Sequence, residues 1–213
     1  MEREQILELI EGFAKNEYTG WTGIPRRHNE TMRQIRTITP GIDSEILKAC
    51  IGGLDHLDEG NIIMLAGKYG CGKTLAACCM IPLFLAVKGK CRPVASENTG
   101  KLRFDECWRF TTSHHVLKVA FDDGNDLFTT SDLVVVDDIG WEHFTDKGFG
   151  ISEWDRFFDS RYRGMRPTIL TTNLTAVEFQ NRYTKRIYDR LRESAIWFES
   201  AGESLRRKPE GVT

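Results

Sequence analysis

NIIMLAGKYGCGKT, Asn61 to Thr74, joins a short apolar run to a loop with three glycines and two lysines. The length of NIIMLAG and its glycine end predict a buried strand, and the apolar segment from Leu75 predicts a helix directly after the loop. GKYGCGKT, Gly67 to Thr74, therefore matches the phosphate-loop spacing G-x-x-x-x-G-K-[ST] in its required setting between strand and helix. Glycines let the backbone turn so that consecutive N–H groups converge on phosphate oxygens, and the helix N-terminus adds partial positive charge. The predicted nucleotide-binding residues are Gly67, Lys68, Tyr69, Gly70, Cys71, Gly72, Lys73, Thr74 and Leu75. Lys73 is expected to reach the β and γ phosphates, and Thr74 to ligate Mg²⁺. A glycine-rich turn with no ligand is the competing reading.

A second apolar run, LVVVDD from Leu133 to Asp138, ends in two carboxylates. A neighbouring buried strand is expected to deliver Asp137 to the metal and Asp138 to an attacking water. Acidic strand ends also serve as solubilising caps, but this pair comes 63 residues after Thr74. TILTTN, Thr168 to Asn173, is the next buried strand, and Asn173 at its tip is placed to polarise the same water or touch the γ phosphate.

KRIYDRLRES, Lys185 to Ser194, sets Arg186 and Arg190 one helical turn apart. Asp189 and Glu193 on the same helix offer local neutralisation; the alternative is an anion from outside the helix.

Around these motifs the chain alternates strand and helix, which predicts a mostly parallel sheet covered on both faces. Helices are predicted over residues 4–13, 44–57, 113–121 and 154–162, with two more within 176–192; strands are predicted at 108–112 and at AIWFES, Ala195 to Ser200. Pro82 is expected to kink or end the helix after the loop. Residues 16–43 read as a polar arm, and residues 88–106 form a polar interruption without an assigned structure.

The chain has 213 residues, 40% hydrophobic and 28% charged, enough for one sizeable core. Its net charge of −2 excludes an overall basic body that coats nucleic acid, but residues 156–208 carry a net +6, leaving −8 elsewhere. Any nucleic-acid contact must use a local patch. The six cysteines form no C-x-x-C pair and read as reduced thiols. The charged, amphipathic N-terminus has no apolar signal core, and Leu75 to Val87 is too short to span a bilayer, so a cytoplasmic protein without membrane contact is expected.

GIPRRH (Gly23 to His28), GKYGCGKT, LVVVDDIG, RPTILTTNL (Arg166 to Leu174), RIYDRLR and GESLRR (Gly202 to Arg207) stand in the order found in the AAA+ superfamily. The order is most similar to the branch containing the helicase loaders DnaC and DnaI and the transposition ATPase IstB. The resemblance covers roughly residues 23–207 and implies an α/β P-loop NTPase of the AAA+ (ASCE) type. It implies a mostly parallel sheet flanked by helices, with a short helical N-terminal extension and little or no separate lid domain. Residues 1–43 would form the N-terminal helix and arm, and residues 44–213 the ATPase core.

The same resemblance implies ATP with Mg²⁺ and ATP hydrolysis in a homo-oligomer. Arg190, with Arg186 as second choice, would reach the γ phosphate held by a neighbouring copy, and Arg206 would contact nucleotide from the C-terminal side. A planar, always charged guanidinium suits developing phosphate charge. Implied partners are DNA, single-stranded by preference, and a replicative helicase or, alternatively, a transposase. Lys118, Trp141, His143 and Lys147 are the candidate DNA contacts.

Three features depart from the family pattern. DnaC-type loaders carry a helicase-gripping N-terminal domain, whereas about 22 residues precede GIPRRH here. Asp138 stands where many AAA+ proteins have Glu, which implies slow hydrolysis. Residues 88–106 resemble an insertion. Two other classes compete: a small-molecule P-loop kinase with an arginine-rich lid, and a nucleotide-gated DNA-binding module with little turnover.

Overall fold

The structure is a computed structural model that describes residues 3–15, 24–37, 45–88, 94–95, 102–103, 108–122, 128, 131–144 and 150–200. The elements in chain order are α1 (Arg3–Lys15), α2 (Arg26–Arg33), α3 (Glu45–Asp58), β1 (Ile62–Gly67), α4 (Lys73–Lys88), β2 (Val94–Ala95), β3 (Leu102–Arg103), β4 (Trp108–Thr112) and α5 (Ser113–Asp122). They continue with β5 (Leu133–Ile139), α6 (Ile151–Arg163), β6 (Thr168–Thr172), α7 (Ala176–Arg182), α8 (Lys185–Ser194) and β7 (Ala195–Ser200).

Five strands form one parallel sheet in the order β4-β5-β6-β1-β7. Successive side chains of a strand point to opposite faces, so a strand buried on both sides must be apolar throughout. β1 does this: Ile63 and Leu65 join the core shared with α1 to α4, while Ile62 and Met64 join the core beneath α5 to α8. Leu133 and Val135 of β5 face the first core, and Val134 and Val136 the second. This explains why NIIMLAG and LVVVDD are unbroken apolar runs. The parallel, doubly covered sheet bears out the expected α/β P-loop architecture.

Three expectations are corrected. β5 does not neighbour β1; β6 lies between them, pairing Ile63 with Ile169 on one side and Val135 with Ile169 on the other. Of the two outcomes expected at Pro82, a kink or an end, the end does not occur: the helix after the loop runs on to Lys88. A mid-helix proline costs about 3 kcal/mol. Residues 76–84 of α4 are all buried, and a fully buried aliphatic side chain contributes about 1.5–3 kcal/mol. Burial therefore outweighs the lost backbone bond.

The supposed arm of residues 16–43 contains α2. Its sequence RRHNETMR has little helical apolar pattern, but Met32 is fully buried and Asn29 nearly so. Arg33 Nε donates to the Ala14 carbonyl at 2.9 Å, and Arg36 reaches Glu4 at 3.2 Å and Glu11 at 3.5 Å. Contacts with α1 thus stabilise a helix that propensity alone does not. Within residues 88–106, β2 and β3 pair antiparallel, Val94 with Arg103 and Ala95 with Leu102.

Arg161 of α6 is fully buried at the strand end opposite the loop. Its Nε donates to Thr168 Oγ1 at 2.9 Å, and its other nitrogens donate to the carbonyls of Ser131, Asp132, Pro167 and Phe128. It aligns the starts of β5 and β6, although burial pushes its guanidinium down to about 9. Cys71, Cys78 and Cys79 are free and buried, as reduced thiols should be. No helix among the described residues is long and apolar enough to cross a membrane.

Because Ile10 of α1 is fully buried in the core shared with α4, Ile10→Ala should lower the unfolding free energy by about 2–5 kcal/mol within a single urea transition. An unchanged midpoint would show that α1 does not dock there.

Candidate nucleotide-binding site

In an open parallel sheet, ligands collect beyond the C-terminal strand ends. Here β1 ends in the glycine-rich loop, β5 carries Asp137 and Asp138 near its end, and Asn173 follows directly after β6. Gly67, Gly70 and Gly72 hold φ of +145°, +81° and +97°, angles that L side chains rarely adopt. A Cβ on Gly67 would also come within 2.8 Å of the Ser200 carbonyl at the end of β7. Lys68 and Tyr69 are exposed, Cys71 is buried, and Leu75 packs its side chain against the core.

Lys73 opens α4 and is 95% buried, being 5% exposed. Its Nζ donates to the carbonyls of Gly67 at 2.8 Å and Lys68 at 2.9 Å, and to Asn173 Oδ1 at 2.8 Å. The ammonium is thus held within the loop, and residues 100 apart in sequence meet across it. Asn173 Nδ2 is buried without an acceptor among the described residues. An orphaned donor beside a captive ammonium fits an anionic ligand.

Asp137 Oδ1 accepts hydrogen bonds from Thr74 Oγ1 at 2.9 Å and Thr171 Oγ1 at 2.6 Å. Burial pushes the Asp137 carboxyl up to about 6, helped by the nearby Asp138 charge and opposed by the two threonines and Lys73. The adjacent hydroxyl and carboxylate are hard oxygen donors suited to Mg²⁺, which takes one or two protein carboxylates and completes its shell with water and phosphate. The donor set therefore fits the implied metal.

Asp138 is exposed and adopts φ +56°, in the left-handed region. Between Val136 paired with Leu170 and Ile139 paired with Thr172, β5 advances three residues while β6 advances two. This bulge turns Asp138 out of the strand's alternation. Its N–H donates to Thr171 Oγ1 at 2.9 Å, and its carbonyl accepts from Ser113 Oγ at 2.8 Å. Thr171 and Ser113 were not legible as site residues, since a threonine in a strand and a serine opening a helix are ordinary choices.

Arg190 lies apart from this cluster. Arg190 and Arg186 pair with Asp155 and Asp159 of α6, carboxylates from outside their own helix, and not with Asp189 and Glu193, the local alternative. The distances are 2.9 Å from Arg186 to Asp155 and 3.2 Å from Arg190 to Asp155, and Arg190 also contacts Asp159. α6 supplies carboxylates at i and i+4, which match arginines at i and i+4 on α8. Desolvation opposes ionisation of Asp159, but Arg190, Arg163 and Arg186 together hold its carboxyl below the usual range. Arg190's side chain is 14% exposed and Arg186's 56%.

Arg206 and Lys147 lie outside the described residues. Lys118 and His143 are exposed, and Trp141 lies edge-on to Tyr69 with ring centroids 6.1 Å apart.

No family model matches the sequence, and no curated protein matches it in sequence. Solved structures do match the fold. The DnaC helicase loader superposes with a TM-score of 0.55 at 18% identity, over 71% of this chain and 86% of the solved DnaC chain. DnaI superposes at 0.54 and 15% identity, over 97% of this chain and 94% of DnaI. The replication initiator DnaA bound to AMPPCP and single-stranded DNA superposes at 0.52 and 16% identity, over 73% of this chain. This chain has an α/β P-loop NTPase fold. It spans 44% of that DnaA chain. Its sheet order places β6 between the loop strand and the acid strand, and hence Asn173 beside Lys73.

An acid with a raised folded pKa keeps its proton while the unfolded chain loses it, so stability falls as pH rises from about 4 to about 6, by about 3 kcal/mol in all. Without nucleotide or Mg²⁺, Asp137→Asn should melt several degrees above wild type at pH 8, and the difference should vanish below pH 4. Equal melting temperatures at pH 8 would contradict a buried, ionised Asp137.

Proposed function

We propose that the chain binds ATP with Mg²⁺, hydrolyses it between copies assembled on DNA, and acts in replication as a helicase loader. One observation carries the reading: Lys73, Thr74, Asp137 and Asn173, drawn from three elements, form a hydrogen-bonded set with an ammonium, an oxygen pair and a free donor at one strand edge. The match to the solved chains of DnaC and DnaI over most of those chains, and a DnaA neighbour bound to an ATP analogue and single-stranded DNA, support the nucleotide, the client class and the DNA.

Each residue then has a task. Loop N–H groups and Lys73 hold the phosphates, the Lys73 ammonium leaving the loop carbonyls for phosphate oxygens. Thr74 and Asp137 hold the cation, which when bound neutralises charge on the phosphates. Asp138, exposed and set by the bulge, orients and deprotonates the attacking water. Asn173 Nδ2 donates to the γ phosphate or to that water. Arg206 contacts the nucleotide from the C-terminal side.

Arg190 acts on a second copy's γ phosphate. To do so it exchanges Asp155 and Asp159 for phosphate, so turnover depends on assembly. Neither carboxylate need move, because Arg186 remains to neutralise both.

Turnover should rise with protein concentration and with single-stranded DNA. Arg190→Ala should lower it by about a thousandfold while ATP binding persists, and Lys73→Ala should abolish it. Mixing the two dead variants should restore partial turnover, because some interfaces then pair an intact Lys73 with an intact Arg190. No recovery on mixing, or full turnover by a dilute monomer, would defeat the reading; phosphate transfer to a metabolite would replace it with a kinase.

A further inference from the structure

Glu142 is 1% exposed, four residues beyond Asp138. A carboxylate buried to that degree costs several kcal/mol unless its oxygens are satisfied, and apolar side chains of similar size would fill the space more cheaply. Both oxygens have partners. Oε2 accepts the Gly140 N–H at 2.9 Å, and Oε1 accepts the Tyr183 hydroxyl. No basic side chain among the described residues forms an ion pair with it, and Arg182 donates to its backbone carbonyl instead.

The two partners belong to the two ends of the proposed catalytic machinery. Gly140, with φ +105°, closes the turn that leaves the β5 bulge, and the Trp141 N–H returns to the Asp138 carbonyl at 3.4 Å. Asp138 therefore takes its direction from a turn whose free amide is held by Glu142. Tyr183 sits between α7 and α8: its N–H closes α7 on Phe179, and the next residue, Thr184, caps α8 by accepting the Ile187 N–H at 3.3 Å. α8 carries Arg186 and Arg190. The Tyr183 ring stacks on Phe179 at 4.3 Å and meets Phe144 edge-on at 5.7 Å, so its hydroxyl has little freedom to look elsewhere.

We infer that the buried Glu142–Tyr183 hydrogen bond is a strut between the Asp138 turn and the start of α8, and that both are positioning residues for hydrolysis. A hydrogen bond has defined length and direction, so it fixes the spacing of these two segments where apolar packing would let them slide. Its effect on turnover rests on the ATPase reading above; its mechanical role does not.

Tyr183→Phe keeps the ring and its stacking while removing the strut. Losing a hydrogen bond of this kind is worth about tenfold in an equilibrium or rate. Amide hydrogen exchange of the full chain should therefore accelerate about tenfold at 138–144 and at 184–192 together, with the rest of the sheet unchanged. kcat for ATP should fall about tenfold with KM within about twofold, a split that general loosening of the fold would not produce. Glu142→Gln retains one acceptor and should move the same segments in the same direction, and the double variant should be no worse than the worse single, since both remove one link. Exchange that rises in only one segment, or in neither, in whichever variant folds, overturns the strut. If wild type binds ATP without hydrolysing it, the ATPase reading falls and the exchange result still decides this one.

Discussion

Two opposite charges buried at one edge of a sheet, Lys73 and Asp137, set the conditions the rest of the molecule must meet. Neither tolerates burial alone, because a lone charge away from water is expelled or neutralised. The loop answers for Lys73 by turning two carbonyls onto its ammonium, and β6 answers with Asn173. Thr74 and Thr171 answer for Asp137. These partners come from the start of α4 and the end of β6, so both must be held at the ends of strands that cannot shift. The doubly covered sheet supplies that rigidity: its central strands are buried on both faces, and Arg161 pins β5 and β6 at their opposite ends.

Asp137 keeps a cost that its partners only partly relieve. Its carboxyl remains near 6, because burial outweighs the two threonines and Lys73. The fold is therefore less stable without ligand than it need be, which is the usual trade between stability and a prepared site. The bulge at Asp138 is a similar case, a left-handed residue held by Thr171 and Ser113 from neighbouring elements.

The second concentration of charge, on α6 and α8, has the opposite character. Arg186, Arg190, Asp155 and Asp159 lie nearer the surface, where salt and water weaken each pair. Such a network is easily exchanged for a stronger anion.

The fold was legible because its deciding signals are local. A seven-residue apolar run ending in glycine, a lysine at fixed spacing and a carboxylate after a second apolar run need no distant information. What the sequence hid depends on contacts between remote residues. α2 lacks an apolar stripe and is held because Met32 is buried in the shared core and α1 receives Arg33 and the following Arg36. α4 passes through Pro82 because its neighbours are buried on all sides. Arg190's partners sit 31 and 35 residues away on another helix, invisible to a search for charges at i and i+4.

By itself, then, the sequence determined the glycine-rich loop between strand and helix, the acidic strand end and the alternation that makes a parallel sheet, since spacing and hydrophobic period are properties of adjacent residues. Only the tertiary structure decided the strand order, with β6 between β1 and β5, and with it which side chain meets Lys73. It alone decided that Glu142 is buried, that Thr171 serves Asp137 and that α6 receives the arginines. The reason is that hydrogen bonds and ion pairs form between atoms close in space, and which remote segments become close is settled by how the two cores pack against the sheet.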